Sequence, residues 1–215
     1  DEWPLRRVQL AAYWIDSTEV TNAMYARCVG AGDCTPPPKA FAEFSPHAYY
    51  GEAAYDNYPV VNVTWEQARE YCTWAGRRLP TEAEWEKAAR GNDARRFPWE
   101  WIGVADPEKL NFCDQGCDFL WHVADVDDGY PETAPVGSYP KGASPYGALD
   151  MAGNVWEWTA DWYSAEYYRE APATDPTGPE TGVWRTVHGG SWLDGVHVRS
   201  LVYARSANRY YQFPD

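Results

Sequence analysis

The sequence predicts a single α+β domain, and three observations lead to that class. Two helix-start signatures stand close together near the middle of the chain, at Thr64 and Thr81. Helical periodicity ends after residue 92, and short aromatic runs broken by Gly, Pro and Asp follow, which is typical of strands. Aromatic residues make up 16% of the 215 residues, which favours a large, well-ordered core. We therefore expect one α+β domain over residues 1–215.

The first part of the chain predicts a strand, a helix and a long surface insertion. Residues 8–15 have the composition of a β-strand. Thr21 is a suitable N-cap, and apolar residues recur four positions apart until Gly30 and Gly32 end the helix. Residues 35–58 are rich in Pro, Gly, Ala and Tyr, so little regular structure is expected there.

The middle of the chain contains two capping boxes, in which a Thr side chain and a later Glu or Gln satisfy each other's backbone amides. These are Thr64-Trp-Glu-Gln67 and Thr81-Glu-Ala-Glu84. The two helices are expected to run to Gly76 and Gly91, because glycine favours the end of a helix. Further strands are expected over residues 154–162, 183–188 and 199–207.

The formal net charge of −14 excludes several classes of partner. A nucleic-acid-binding domain needs a basic face, so no nucleic-acid partner is expected. The same charge opposes binding to anionic lipid. No run of about 18 apolar residues is present, so no membrane span is expected. Surplus carboxylates fit solubility and cation binding.

Five cysteines bear on the compartment, and four of them form close pairs. Cys28 and Cys34, and Cys113 and Cys117, each bracket a Gly-containing turn that a disulfide can close. Disulfides would indicate an extracellular, cell-surface or periplasmic location. The alternative is four thiolates around zinc, although the spacing is wider than usual for that ion. The fifth, Cys72, lies in a helical pattern and is expected to be a buried thiol.

Two acidic loops are candidates for cation binding. Asp125, Asp127 and Asp128 crowd one Gly-Tyr-Pro turn, and Asp150-Met-Ala-Gly-Asn-Val-Trp-Glu157 places a Gly-containing turn between two acids. Calcium prefers six to eight oxygen ligands in flexible geometry, and such loops supply carboxylates and carbonyls. The alternative for each loop is an acidic turn that is simply solvated.

Several long motifs closely resemble those of the formylglycine-generating enzyme (sulfatase-modifying factor) family, and they cover nearly the whole chain. They are Thr18-Glu-Val-Thr-Asn22, Pro59-Val-Val-Asn-Val-Thr-Trp65, Arg77-Arg-Leu-Pro-Thr-Glu-Ala-Glu-Trp-Glu-Lys-Ala-Ala-Arg90, Gly153-Asn-Val-Trp-Glu-Trp-Thr-Ala-Asp-Trp162, Gly189-Gly-Ser-Trp192 and Arg205-Ser-Ala-Asn-Arg209. The resemblance implies a C-type-lectin-like fold with two helices, twisted mixed sheets and many loops. This agrees with the α+β class expected from periodicity alone.

The resemblance also implies up to two structural calcium ions. Family members bind one ion through an Asn and the next carbonyl, then an Asp and a carbonyl two residues on. The matching residues here are Asn111, Phe112, Asp128 and Tyr130. A second ion is bound by an Asn or Asp, two turn carbonyls and a Glu. The matching residues here are Asp150, Gly153, Val155 and Glu157.

The match to the family's catalytic site fails. The enzymes oxidise a substrate cysteine with copper held by two cysteines that follow Gly-Gly-Ser, since soft sulfur suits Cu(I). Here residues 192–204 contain no cysteine, and Asp194, His197 and Tyr203 occupy that stretch. We therefore expect a non-catalytic ligand-binding or accessory module. The alternative is a metal-dependent oxidoreductase of the same superfamily.

Variable proteins of diversity-generating retroelements also resemble this chain, and they use the fold as a ligand-binding scaffold. Their diversified segment corresponds here to residues 189–209 and the aromatic residues that follow. Large aromatic side chains offer contact area at small entropic cost. We therefore expect a protein, peptide or glycan ligand, contacted by the C-terminal segment. The candidate contact residues are Trp192, Asp194, His197, Tyr203, Arg205, Asn208, Tyr210, Tyr211 and Phe213.

The resemblance includes one further departure. Family domains usually start with an earlier strand and close with a Gly-Phe-Arg strand, and neither lies within residues 1–215. A missing strand would leave an unpaired edge, which invites association with another chain.

Overall fold

The computed structural model describes residues 2–38, 48–93, 95–100, 105–194 and 202–215. It contains four α-helices, which are α1 (Asn22–Ala31), α2 (Trp65–Trp74), α3 (Glu82–Arg90) and α4 (Tyr167–Glu170). Its three strands are β1 (Glu157–Trp162), β2 (Arg185–His188) and β3 (Tyr210–Gln212). Two 3-10 turns span Ala53–Tyr55 and Pro140–Gly142. No helix within these ranges combines the length and apolar character needed to cross a membrane.

The three predicted helices are confirmed, and their starts have the expected capping chemistry. The Thr64 hydroxyl accepts the amide proton of Gln67, and the Gln67 side chain accepts that of Thr64 at 2.9 Å. The same reciprocal pair joins Thr81 and Glu84 at the start of α3. α1 begins after Thr21 and ends at Gly32 in the left-handed conformation, which a residue with a side chain rarely adopts.

The strands form one antiparallel sheet in the order β1-β2-β3. Glu157 pairs with His188 and Thr186 pairs with Tyr211, with an irregularity within β1 between Trp158 and Trp162. The predictions over residues 154–162 and 183–188 are therefore confirmed with shorter bounds. Two indole hydrogen bonds fix the sheet to α2 and to the residues just before it. Trp65 Nε1 donates to Thr159 O at 2.7 Å, and Trp158 Nε1 donates to Val63 O at 3.0 Å.

The strand predicted over residues 8–15 is wrong. Only Gln9 forms a bridge, with Thr174, and the neighbouring Ala11 amide is taken by the Asp175 carboxylate at 2.7 Å. The backbone of residues 12–16 makes no hydrogen bond to a described residue. The segment has the sequence of a strand, but the described chain offers no neighbouring strand with which to pair.

The strand predicted over residues 199–207 is also wrong in the part that can be compared. Residues 199–201 lie outside the described residues, and residues 202–207 form turns. Asn208 N–H donates to Arg205 O at 2.8 Å, which closes a tight turn, and Ser206 N–H donates to Arg96 O. The third strand begins later, at Tyr210. Turn bonding therefore overrides the strand-forming side chains.

The predicted insertion at residues 35–58 contains a small aromatic cluster. Residues 39–47 lie outside the described residues, and the rest includes one 3-10 turn. Tyr49, Tyr55 and Tyr58 pack with ring centroids 4.6–5.8 Å apart. The segment thus has little regular structure, as expected, yet it packs a hydrophobic cluster of its own.

A buried ion pair joins α3 to the C-terminal segment. Arg209 donates to both oxygens of Glu82, at 2.6 and 3.0 Å, and His188 Nε2 lies 3.2 Å from Glu82. The Arg209 side chain is 0% exposed. Burial alone would raise the pKa of Glu82, but the His188 and Arg209 hydrogen bonds outweigh it and lower that pKa to about 2.

Four cysteines form the two predicted disulfides, Cys28–Cys34 and Cys113–Cys117. The zinc alternative is therefore wrong, because these sulfurs are bonded to one another. Both bonds are consistent with an extracellular, cell-surface or periplasmic location. Cys72 is the free thiol on α2, and burial raises its pKa to about 11.

Candidate functional site

The first acidic loop is organised around the buried Asp128 carboxylate. Its two oxygens accept the backbone amides of Phe112 at 2.8 Å and Tyr130 at 3.0 Å. No basic side chain among the described residues pairs with it. Burial, reinforced by the nearby Asp114, raises the pKa of Asp128 to about 7, although the amide hydrogen bonds oppose this. The loop therefore folds around an acid whose charge is poorly compensated.

Asn111 lies beside this acid and is fully buried. Its side-chain nitrogen donates to Glu132 O at 2.7 Å and to Asn154 Oδ1 at 3.1 Å. Its Oδ1 atom is buried and accepts no hydrogen bond from a described residue. A buried oxygen without a donor is costly, and a bound cation would satisfy it. Asn111 and Asp128, with the carbonyls of Phe112 and Tyr130, thus fit an oxygen-liganded cation.

The second acidic loop contains two buried carboxylates, Asp150 and Glu157. Asp150 Oδ2 accepts the Gly137 amide at 2.6 Å, and Glu157 Oε2 accepts the Trp85 indole proton at 2.8 Å. Burial raises the pKa of Asp150. Burial, together with the charge of Asp150, raises the pKa of Glu157 to about 7. Two desolvated acids with few donors again favour a cation.

A turn between these acids brings the two loops together. Gly153 adopts φ +79°, and a Cβ atom there would lie 2.2 Å from the Asn111 carbonyl oxygen. Asn154 follows, also in the left-handed region, and its Oδ1 accepts protons from the Asn111 side chain and the Ala134 amide. Hydrogen bonds between Asn111 and Asn154 therefore join the first and second candidate sites.

The structure adds Glu19, which the sequence analysis did not single out as a site residue. Its Oε2 accepts a hydrogen bond from Asn154 Nδ2 at 2.9 Å, and the Val155 amide also donates to this carboxylate. Burial, then the charges of Asp150 and Glu157, raise its pKa well above the usual value. The Thr18–Asn22 motif contained this residue, but no spacing rule connected it to a loop 135 positions later.

Any cation at these loops would depend on backbone and amide oxygens. Within the described ranges, no three His, Cys, Asp or Glu side chains are placed to share one ion. Each candidate set instead combines one or two carboxylates with neighbouring carbonyls, a mixture that suits calcium better than zinc.

The C-terminal strand presents an aromatic surface, formed by Trp184, Tyr210, Tyr211 and Phe213. Ring centroids are 5.4 Å apart between Tyr210 and Tyr211, 5.1 Å between Trp184 and Tyr211, and 5.9 Å between Trp184 and Phe213. Phe213 is 59% exposed, and all three residues of β3 are exposed. A continuous patch of exposed aromatic rings is typical of a contact surface.

The other C-terminal candidates have different surroundings. Trp192 is buried against the Cys113–Cys117 disulfide, and Asn208 is also buried. Tyr203 packs against Tyr210 with centroids 5.7 Å apart, which places it beside the aromatic surface.

Two more of these candidates make polar contacts, and a third cannot be compared. Asp194 Oδ2 accepts both the amide and the hydroxyl of Ser191, at 2.7 and 2.9 Å. Arg205 forms an ion pair with Glu2. His197 lies outside the described residues. The exposed candidates thus gather on β3 and the residues after it.

Comparison with known proteins identifies the family. Residues 1–214 match the sulfatase-modifying factor enzyme 1-like domain. The chain belongs to this family. A formylglycine-generating enzyme of Streptomyces coelicolor is 39% identical over 245 residues, covering 96% of this chain and 76% of the relative. An inactive C-alpha-formylglycine-generating enzyme 2 of Bos taurus is 35% identical over 164 residues, covering 74% of this chain and 46% of the relative.

Solved structures confirm the fold of this sulfatase-modifying factor domain. Treponema denticola variable protein 1 superimposes with a TM-score of 0.71 at 25% identity, covering 96% of this chain and 81% of that one. PvdO from Pseudomonas aeruginosa has a TM-score of 0.67 at 24% identity, covering 92% and 73%. The expected α+β, C-type-lectin-like architecture is therefore confirmed.

Proposed function

We propose that this sulfatase-modifying factor domain is a non-catalytic ligand-binding module stabilised by calcium. The observation that carries the proposal is the position and bonding of its cysteines. Four of the five are bonded in disulfides, and the fifth lies on α2. None follows the Gly-Gly-Ser motif, where the enzymes of the family hold copper. Without two soft sulfur donors the chain has no ligand pair suited to Cu(I).

The side chain nearest that motif supports the same proposal. Asp194 directs its carboxylate back to Ser191, and a hydrogen bond from Trp156 also reaches it. These contacts fix the turn and occupy the carboxylate. The side chain therefore stabilises the loop, and it is a hard oxygen donor in any case. The name of the Bos taurus relative shows that a member of this family has been designated inactive.

The aromatic surface supplies the proposed contact region. Tyr210, Tyr211 and Phe213 are exposed, and their rings are held by neighbouring rings, so little side-chain entropy is lost on binding. Treponema denticola variable protein 1 shares the fold, and the resemblance to variable proteins leads us to place the ligand contact on the C-terminal segment. The proposed ligand is a protein, peptide or glycan.

Calcium enters the proposal through the two acidic loops. Asn111 and Asp128, with the carbonyls of Phe112 and Tyr130, would hold one ion. Asp150 and Glu157, with the carbonyls of Gly153 and Val155, would hold the second. Calcium would neutralise the buried carboxylates and supply the contact that Asn111 Oδ1 lacks.

Two measurements on the purified protein test this proposal. Metal analysis of the purified protein should show calcium, and no stoichiometric copper or iron, and chelation should remove the calcium. Incubation with a cysteine-containing peptide, copper and oxygen should give no aldehyde and no oxygen consumption. Aldehyde formation or bound copper would overturn the proposal and favour an oxidoreductase.

A binding screen tests the proposed contact surface. Peptide and glycan arrays should give hits that weaken when Tyr211 and Phe213 are both changed to Ala. Tyr146→Ala is the matched control, because Tyr146 is also an exposed aromatic residue but lies outside the aromatic surface. Equal losses in the two variants would contradict the assignment of the surface.

A further inference from the structure

The Cys113–Cys117 disulfide closes a short turn whose first residue is Asp114. Asp114 is 0% exposed. Its Oδ1 accepts the Gly116 amide at 2.7 Å, and its backbone carbonyl accepts the Cys117 amide at 3.2 Å. The disulfide and these two hydrogen bonds therefore hold the Asp114 side chain in one orientation.

That orientation directs the other oxygen of Asp114 to the first candidate calcium site. Asp114 Oδ2 accepts the backbone amide of Asp128, and Asp128 Oδ2 accepts the backbone amide of Phe112 at 2.8 Å. Asp128 and Phe112 are both proposed ligands, and the Phe112 carbonyl forms the peptide bond to Cys113. A disulfide cysteine thus follows one ligand directly, and the enclosed acid fixes the backbone of another.

The same turn is bonded to the residues that lead into Asp128. The Val123 amide donates to Cys113 O at 3.0 Å, and the Gln115 amide donates to Val126 O at 3.0 Å. Each bond joins the disulfide turn to the segment that carries the second half of the site. Opening the turn would therefore disturb both halves together.

We propose that the Cys113–Cys117 disulfide controls calcium binding at the first candidate site, with Asp114 as the residue that positions Asp128. This inference rests on the calcium sites of the proposed function. Reduction would free the turn, so that binding would have to order it again, and the affinity of the first site for calcium would fall. By thermodynamic reciprocity, bound calcium opposes reduction of this disulfide by the same factor.

Dithiothreitol supplies the two electrons for the reduction. One of its thiolates attacks a cysteine sulfur and forms a mixed disulfide, and its second thiol then closes a ring and releases that sulfur. The two thiol protons pass to the two cysteines, and cyclic oxidised dithiothreitol is the other product. Calcium takes no part in these bonds, so an effect of calcium on the equilibrium reports the structure around the disulfide.

The first experiment compares the two disulfides of the wild-type protein in one sample. The protein is equilibrated with fixed ratios of reduced to oxidised dithiothreitol, with saturating calcium or with a chelator, and thiols are counted by alkylation and mass spectrometry. Calcium should lower the reduced-to-oxidised ratio of Cys113–Cys117 by about tenfold or more. Cys28–Cys34 is the internal control and should shift much less, because it packs in a separate cluster with Tyr25 and Tyr71. Equal protection of both disulfides would indicate general stabilisation of the fold and would overturn the proposal.

Calcium titration of variants tests the coupling from the other direction. Changing both Cys113 and Cys117 to Ser should weaken binding of the first ion by about tenfold or more. Changing both Cys28 and Cys34 to Ser is the matched control and should leave that affinity unchanged. The equilibrium measured on the wild-type protein decides the question if either pair of substitutions prevents folding.

Asp114→Asn separates the positioning role from the covalent bond. The variant retains both cysteines but has one acceptor oxygen where Asp114 has two, so it cannot accept the Gly116 and Asp128 amides in the same way. Its first ion should bind about tenfold more weakly, and calcium should protect its disulfide less. Asp118→Asn is the control, because Asp118 directly follows Cys117 but is exposed.

The outcomes distinguish this inference from the proposed function. Absence of calcium binding by the oxidised wild-type protein would remove the proposed calcium sites and the coupling with them. Two ions bound by the wild type, with the same affinities in the variant that lacks Cys113 and Cys117, would overturn the coupling alone.

Discussion

The side-chain amide of Asn111 donates a hydrogen bond to Asn154 across 3.1 Å, and this bond joins the two acidic loops. The backbone makes the same connection, since the Asn154 amide donates to Asn111 O at 3.2 Å. Both residues are buried, so the contact is shielded from water. Ordering one loop should therefore help to order the other.

Calcium should stabilise the protein, because the acids of the proposed sites are buried and form no ion pair with a basic side chain among the described residues. Saturating calcium, at about 100 times its dissociation constant, should add about 2.7 kcal/mol per site. Thermal unfolding with calcium, and after chelation, measures this effect. Isothermal titration should count up to two ions, and Asp128→Ala should remove one of them. An unchanged melting temperature across the titration would argue against both sites.

Gly153→Ala should destabilise the fold by about 3 kcal/mol or more, because the new Cβ would collide with backbone and strain a left-handed residue. Gly76→Ala is the matched control, since Gly76 has φ +71° but open space around it. The control should cost only about 1–2 kcal/mol. Urea unfolding of both variants measures the difference, and equal costs would contradict the close packing of the two loops.

Arg209→Gln should cost about 3–5 kcal/mol at pH 7, because it leaves the Glu82 carboxylate buried with a weaker set of donors. The folded-state pKa of Glu82 is about 2, below its usual 4.5, so the ion pair stabilises the protein fully above pH 4.5. That contribution disappears as pH falls towards 2. The gap between wild type and variant should therefore narrow over that interval.

The control for this prediction is Arg205→Gln, which removes a more exposed ion pair with Glu2. That change should cost less than about 1 kcal/mol. Denaturant titrations at several pH values measure both variants. A gap between wild type and Arg209→Gln that stays constant from pH 7 to pH 2 would contradict the role given to Glu82.

Asp161→Asn should stabilise the protein at high pH. Asp161 accepts the Glu82 amide at 2.8 Å at the start of α3, and burial, followed by the charge of Glu82, raises its pKa to about 7. The folded state thus holds a proton that the unfolded state releases near pH 4, so stability falls as pH rises from 4 to 7. Asn keeps the acceptor without the charge and should add about 2 kcal/mol at pH 8.

Stability measured at pH 3 provides the comparison for Asp161→Asn. Asp161 is protonated there in both the folded and the unfolded state, so the variant should differ little from wild type. A gain of the same size at pH 3 and pH 8 would show that ionisation of Asp161 is not the cause.

The cysteines should differ sharply in behaviour. Replacing Cys28 and Cys34 by Ala should lower the free energy of unfolding by about 2 kcal/mol, the entropic value for so short a loop.

Cys72 should resist iodoacetamide in the folded protein, because burial raises its pKa to about 11 and little thiolate forms. Mass spectrometry after labelling, with and without denaturant, checks this. Rapid native labelling would show that the thiol is accessible.

The helices were predictable because their signals are local. Thr64 and Thr81 each carry both halves of a capping box, and no distant contact is needed to satisfy those amides. The disulfides were also local, since each closes a loop of few residues. Two of the four strand predictions failed because strand pairing depends on a remote neighbour. Residues 8–15 lack one in the described chain, and residues 202–207 satisfy their amides in turns.

The candidate sites likewise separate into residues that the sequence could indicate and residues that depend on distant contacts. The resemblance placed Asn111, Asp128, Asp150 and Glu157 in two loops, and the structure brings those loops together. Glu19 escaped notice because its partner, Asn154, is 135 positions away in sequence. Likewise, burial of Trp192 and Asn208 could not be read from residue type, because aromatic and amide side chains occur both in cores and on surfaces.

The C-terminal strand is fixed at both ends by contacts that do not involve its exposed side chains. Just before the strand, Arg209 forms an ion pair with Glu82. Just after the strand, the Trp65 amide donates a hydrogen bond to the Pro214 carbonyl at 2.9 Å. Positions 210, 211 and 213 lie between these two contacts, and their side chains are partly exposed. Because these flanking contacts fix the strand, we expect a library randomised at these positions to remain largely folded.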